Sequence, residues 1–255
     1  MYAKKSLGQH FLNSPSALSA IVEAGQITKD DIILEVGPGT GTLTNELISR
    51  AKKIIAIEAD HILVTQLHER FATAIREGKL YIVEGDILEV DTNTFFTKEE
   101  SYKVIANIPY YITGAIIKKF LSAQLQPKQM VLLIQKEVAE RIIAKDNKES
   151  ILSLSVKIYG EARYIQTVKS GAFTPPPKVD SAIISIENIS RNNFTDISEE
   201  LFFSLIKKGF SSKRKMLKNN IGADFATFEV CGINKKARAE DLTLSQWLCL
   251  AAHTS

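Results

Sequence analysis

Short β-branched runs alternate with amphipathic runs through the first half of the chain. Asp31-Ile32-Ile33-Leu34-Glu35-Val36, Lys53 to Ile57, Leu80 to Val83, Lys103 to Ala106 and Gln129 to Ile134 read as strands. Between them, Leu43 to Ala51, Asp60 to Arg76, Thr113 to Ala123 and Glu137 to Lys145 read as helices, the second with Leu63, Leu67, Phe71 and Ala74 at near-helical spacing. Such alternation predicts an α/β domain with a mainly parallel sheet covered by helices on both faces. Ligands of such a sheet bind at the carboxyl ends of its strands, near the point where strand order reverses.

Before the first strand, Asn13-Ser14-Pro15 supplies a cap and a proline at the first helical position, predicting a helix through Glu23. Arg163 to Lys169 and Val179 to Glu187 read as further strands, separated by Phe173-Thr174-Pro175-Pro176-Pro177. Three consecutive prolines cannot sit inside a ladder, so this connection is extended and stiff. Past Asn188 the chain turns Asn- and Ser-rich and then helical. A boundary is expected there, with residues 1–189 forming the α/β domain and 190–255 a small all-helical domain.

Composition narrows the class. No apolar run exceeds six residues, Met130 to Ile134 and Trp247 to Ala252 being the longest, far short of the roughly 18 residues needed to span a bilayer. The first ten residues lack the apolar stretch of a signal peptide. Cys231 and Cys249 are too few for a disulfide framework or a cysteine metal site, so a reducing compartment, the cytoplasm, is expected, with no metal. The net charge of +3 looks too small for a polyanionic partner. Its distribution changes that view: Met1 to Ser190 holds 22 basic and 22 acidic residues, whereas Arg191 to Ser255 holds 10 and 7. Lys207, Lys208, Lys213, Arg214, Lys215 and Lys218 lie in a stretch, Leu201 to Ala223, with no acid. A local basic cluster of this kind suits a phosphate backbone; the alternative is a solvated helix face.

Candidate chemistry begins at Glu35-Val36-Gly37-Pro38-Gly39-Thr40-Gly41, which follows a strand and opens a helix. Glycines there let a ligand approach the backbone closely. Thr42 occupies the third glycine position of the nicotinamide fingerprint, so Gly37, Gly39 and Gly41 form a different spacing, one that resembles the first motif of S-adenosylmethionine-dependent methyltransferases. Glu58 closes the second strand, where a carboxylate can accept from both ribose hydroxyls of a nucleoside. Asp86 ends the third strand, where it can accept from an adenine amino group while Ile87 packs on the ring; the alternative for Asp86 is a turn residue beside Gly85.

Asn107-Ile108-Pro109-Tyr110 follows the fourth strand, beside the glycine loop. An exocyclic amine is a poor nucleophile because its lone pair is delocalised into the base. An Asn side-chain oxygen and a backbone carbonyl can accept its two N–H bonds and favour a more tetrahedral nitrogen, which makes Asn107 a positioning catalyst. Tyr110 can stack on the base.

Gly8-Gln9-His10-Phe11-Leu12-Asn13, Glu35 to Gly41, Asn107 to Tyr110, Gln135-Lys136-Glu137 and Phe173-Thr174-Pro175-Pro176-Pro177-Lys178-Val179-Asp180-Ser181 together resemble the ribosomal RNA adenine dimethyltransferases. The resemblance runs nearly the whole chain, and the proline run is its most specific part. It implies a Rossmann-like class I methyltransferase sheet, S-adenosyl-L-methionine as cofactor and a monomer acting on ribosomal RNA. It also implies that His10 and Leu12 help cover the cofactor, that Gly37, Glu58, Asp86 and Asn107 line its site, and that Phe173 stacks on the target adenine opposite Tyr110. Many relatives have Asn where this chain has His10, and on composition alone His10 reads as a surface or capping residue. Core filling is the alternative for Phe173. The bacterial housekeeping branch is the best match, implying dimethylation of two adjacent adenosines in the 3′ hairpin of small-subunit RNA within the immature subunit. The alternatives are a large-subunit enzyme conferring antibiotic resistance and a noncatalytic assembly factor.

Overall fold

A computed structural model describes residues 9–253. The chain divides into two compact units, residues 1–139 with 163–189, and residues 140–162 with 190–255.

In the first unit, β1 (Phe11–Leu12) precedes α1 (Pro15–Ala24), whose start is set by Ser14: its hydroxyl accepts from the Ala17 N–H while Pro15 occupies the first turn. The alternating region follows as β2 (Ile32–Val36), α2 (Thr42–Ile48), β3 (Lys53–Glu58), α3 (His61–Arg70), α4 (Ala72–Arg76), β4 (Leu80–Glu84), β5 (Tyr102–Asn107), α5 (Thr113–Leu121), β6 (Gln129–Gln135) and α6 (Lys136–Ile142). The expected single helix from Asp60 to Arg76 is two, because Phe71 leaves helical geometry (φ −111°, ψ 24°) as its ring turns under the glycine loop.

The helical segment α7 (Ile151–Lys157) belongs to the second unit. The chain then forms β7 (Glu161–Val168), β8 (Phe173–Thr174) and β9 (Ser181–Glu187). The main sheet has seven strands in the order β4-β3-β2-β5-β6-β9-β7. Five neighbours, β4, β3, β2, β5 and β6, run parallel, and β9 pairs antiparallel with β6. Every residue of β2 is buried, as expected for a strand covered on both faces. Strand order reverses between β2 and β5, so the carboxyl ends of these two strands are where a ligand crevice belongs.

Beneath the sheet's opposite end, Asp31 joins Lys103 at 2.9 Å and Lys128 at 2.6 Å, and Lys103 also donates to the Gly25 and Gln26 carbonyls. Burial alone would push the Asp31 carboxyl up, but the hydrogen bonds from Lys128 and Lys103 outweigh it and hold the group well below the usual carboxylate range.

In the second unit, α8 (Glu199–Gly209), α9 (Leu217–Ile221), α10 (Phe225–Val230) and α11 (Leu244–His253) gather around Trp247, Phe202 and Phe228, all fully buried. Gly209 is required by this packing, since an added Cβ would lie 2.4 Å from the Trp247 ring. The sequence boundary at 189/190 leaves Glu140–Ala162 with the sheet, whereas the structure folds that segment into the helical unit. The reason is long-range: Asn193 donates to the Ile158 carbonyl, Ser190 to that of Tyr159, and the Tyr159 ring packs edge-on against Phe194. Residues 140–162 hold equal numbers of acids and bases, so the whole +3 stays in the helical unit. Cys231 and Cys249, expected as separate thiols, form a disulfide that ties the end of α10 to α11. Among the described residues no helix is long and apolar enough to cross a membrane.

Candidate active site

The glycine loop leaves β2 and turns into α2 through three left-handed residues, Gly37, Gly39 and Gly41. Gly41 (φ 78°) has no room for a side chain: a Cβ would meet Phe71 at 2.4 Å and Leu67 at 2.9 Å. It shapes the turn and does not line the cleft. Gly39 faces the Phe11 ring, and its N–H donates to Glu58 Oε2 at 3.0 Å.

His10, Leu12, Gly37, Gly39, Glu58, Asp86, Ile87, Asn107 and Tyr110 all line one cleft at the carboxyl ends of β2, β3, β4 and β5. This is the reversal point that the alternating pattern predicts. Glu58 is 6% exposed and uses both oxygens, Oε2 holding the glycine loop at Gly39 and Oε1 accepting from the Asp60 N–H, at the start of α3, at 3.0 Å. Burial pushes its carboxyl up, opposed by those backbone N–H donors. Glu35, deeper in the same wall, is pushed up to about 8 by burial, with the Thr44 hydroxyl opposing and the Glu58 charge adding to the rise. Glu35 is 1% exposed and its Oε2 already accepts from the Thr44 hydroxyl at 2.7 Å, so Glu58 is the better placed acceptor for a ligand in the cleft. Asp86 takes the turn role, Oδ1 accepting from the Leu88 N–H at 2.8 Å, and lines the cleft beside the buried Ile87.

Asn107 ends β5. Its Nδ2 donates to the His10 carbonyl at 3.1 Å, which fixes the amide orientation, and the residue lines the cleft with Oδ1 as its remaining side-chain acceptor. His10 is itself anchored: Nδ1 lies 2.7 Å from the Pro175 carbonyl, and since a carbonyl only accepts, Nδ1 carries a proton. Its ring stacks on Tyr110 at 5.8 Å and 24°. The Tyr110 hydroxyl pairs with Ser181 at 2.7 Å, and burial pushes that phenol up, against the effect of the Ser181 bond.

Phe173 is placed differently. It is 3% exposed, packs in the core with Leu12, Leu18 and Val168, and does not line the cleft. The cause is a two-stranded ladder, Phe11 with Thr174 and Leu12 with Phe173, which turns this ring inward. Tyr111, which the sequence reading passed over, is 66% exposed and lines the cleft mouth. Its only sequence signal is adjacency to Tyr110.

In the helical unit, Lys207 and Lys208 end α8, where cations complement the helix dipole. Lys213, Arg214 and Lys215 sit in the turn before α9, not on a helix, and all five are exposed without an ion pair among the described residues. Lys218 differs: it is half-buried, with its ammonium 3.5 Å from the Phe225 ring centre.

A family model described as ribosomal RNA adenine dimethylase matches residues 1–254. Ribosomal RNA small subunit methyltransferase A of Dehalococcoides mccartyi (strain CBDB1) is 39% identical over 97% of this chain and 88% of its own length. A protein of the same name from Clostridium botulinum (strain Langeland) is 37% identical over 95% of this chain and 90% of its own. Among solved structures, a dimethyladenosine transferase from Plasmodium falciparum superposes with a TM-score of 0.81 at 28% identity, covering 94% of this chain and 96% of the other. The 23S rRNA methyltransferase ErmE shares the fold, with a TM-score of 0.77 at 24% identity over 94% of this chain and 98% of its own.

Proposed function

The chain belongs to the ribosomal RNA adenine dimethylase family and is an S-adenosylmethionine-dependent rRNA adenine dimethyltransferase, and from this premise we propose which RNA it modifies and which residues do the work. The substrate is small-subunit ribosomal RNA in the immature subunit, at two adjacent adenosines of its 3′-terminal hairpin, and the reaction takes place in the cytoplasm. Support comes from relatives named for the small subunit at 37–39% identity along nearly the whole chain.

The cleft residues fit S-adenosylmethionine. Glu58 retains two acceptor positions after serving Gly39 and Asp60, a match to two vicinal ribose hydroxyls. Asp86 and Ile87 offer an acceptor and an apolar face for an adenine, and Gly37 and Gly39 let the ligand lie against the backbone. When bound, the cofactor supplies an electrophilic methyl group on a sulfonium.

Asn107 carries the proposal. With its amino group held by His10, Oδ1 is free to accept one N–H of the target adenine while a backbone carbonyl of the same turn accepts the other. These bonds turn the nitrogen lone pair out of conjugation and hold it in line for attack, so the contribution of Asn107 is placement rather than proton transfer. Tyr110, pinned by Ser181 and His10, gives the base a fixed aromatic wall, and Tyr111 offers a second surface at the mouth. The target base must leave its stack to reach Asn107, which costs a few kcal/mol that stacking on tyrosine offsets. The exposed cations of the helical unit bind RNA phosphates.

The test incubates purified protein with immature small subunits and labelled S-adenosylmethionine. Dimethyladenosine forms with the wild type, whereas Asn107→Ala loses about 3–4 kcal/mol of transition-state stabilisation with RNA affinity retained. Unchanged turnover in Asn107→Ala would remove the assigned role, and modification of large-subunit RNA alone would overturn the substrate.

A further inference from the structure

The C-terminal helices bring three soft donors together. Cys231 is the residue that caps α10, and Cys249 and His253 lie one turn apart on α11, on the same helix face. One ligand atom from each lies within 4.8 Å of the other two. The Cys249 sulfur is 3.9 Å from His253 Nδ1, close to the ~3.6 Å edge of a tetrahedral zinc site built from usual Zn–S and Zn–N bonds. Nδ1 also lies 2.9 Å from the Cys249 carbonyl. Cys231 is buried, Cys249 half-buried and His253 exposed, so the group is anchored on one side and open to entry on the other.

We propose that, once the disulfide is reduced, Cys231, Cys249 and His253 form a binding site for zinc(II), with water in the fourth position. Reduction by a dithiol breaks the S–S bond, adds two electrons and two protons to the cysteines, and converts the reductant to its disulfide. Binding then displaces one proton from each thiol, and the sulfurs become thiolate ligands. The Cα–Cα separation of 5.6 Å keeps both sulfurs within reach of one ion. His253 binds through the Nδ1 lone pair with its proton on Nε2, and the contact to the Cys249 carbonyl is given up. Thiolate and imidazole donors select zinc over magnesium or calcium. Disulfide and metal are alternative clasps for one junction, α10 to α11, and both hold the same helices. Sequence reading expects no metal here because it counts cysteines alone; the overlooked signal is the Cys249-x-x-x-His253 spacing, a helical repeat.

The test uses the full chain, reduced with a phosphine, which takes oxygen from water and does not compete for zinc. Thiol titration confirms two free thiols, zinc or cobalt(II) is added, and metal retained after dialysis against a weak chelator is counted. The expected result is about one metal per reduced chain, a thiolate-to-cobalt charge-transfer band and a raised melting temperature with zinc, all absent from the oxidised protein. Cys249→Ser loses the metal. The surface variant His253→Ala, whose folding is not at issue, shifts the cobalt spectrum and weakens retention. A reduced wild type with two free thiols that retains no metal overturns the proposal, as does retention unchanged in both variants.

Discussion

Glu58→Gln separates cofactor recognition from loop architecture. In the wild type each carboxylate oxygen accepts one backbone N–H at 3.0 Å, from Gly39 and Asp60. A carboxylate offers about four lone-pair positions, so two remain for ribose. Glutamine keeps one oxygen and replaces the other with an NH2 donor, which meets a backbone N–H donor and removes one ribose acceptor. The lost charge-assisted hydrogen bond is worth about 1.5–3 kcal/mol. At about 1.4 kcal/mol per decade, affinity for S-adenosylmethionine falls about 10- to 150-fold. A stability loss of about 1–3 kcal/mol accompanies it, because one backbone N–H is left facing a donor. Calorimetric titration with S-adenosylhomocysteine, alongside thermal melts, reads both quantities. A folded Glu58→Gln protein that binds within twofold of wild type would refute the ribose assignment.

Other perturbations probe the rest of the molecule. Gly209→Ala gains up to about 1 kcal/mol in helix propensity but drives a methyl to 2.4 Å from Trp247, an overpacking cost of about 1–3 kcal/mol, so denaturant melts followed by the single tryptophan show net destabilisation. Neutralising Lys213, Arg214 and Lys215 weakens RNA binding and lowers its log–log salt slope by about 2–3, with cofactor affinity unchanged in the same preparation. Asp31→Asn leaves Lys103 buried without its anion and costs about 3–5 kcal/mol at pH 7. Because the folded Asp31 pKa is depressed, its stabilisation is complete above the unfolded value of about 3.9 and is lost only as pH falls through the folded value. Melts of wild type and variant accordingly stay apart at neutral pH and converge only well below pH ~4.

The alternating β-branched and amphipathic runs made β2 to β6 legible: β2, β3, β5 and β6 are buried on both faces and mostly apolar, and the edge strand β4 is a short apolar run closed by Glu84 and Gly85. The cleft residues were legible for a related reason: Gly39, Glu58, Asp86 and Asn107 sit at strand ends, where a parallel sheet presents its ligands. What escaped depends on contacts distant in sequence. A ladder of two residues, Phe11–Leu12 against Phe173–Thr174, is too short to show a period, yet it decides that Phe173 packs inward. The segment 140–162 carries no boundary signal and joins the helices through Tyr159 and Ile158. The break at Phe71 follows from the absence of a side chain at Gly41, thirty residues earlier.

The central claim, adenine dimethylation of small-subunit RNA dependent on Asn107, is tested most directly by mass-spectrometric mapping of ribosomal RNA. Cells lacking this protein are complemented with wild type or Asn107→Ala. The account predicts two adjacent dimethyladenosines in the 3′ hairpin with wild type, and unmodified adenosines in the deletion and in the variant. Dimethyladenosines present in the deletion, or restored in full by Asn107→Ala, would contradict it.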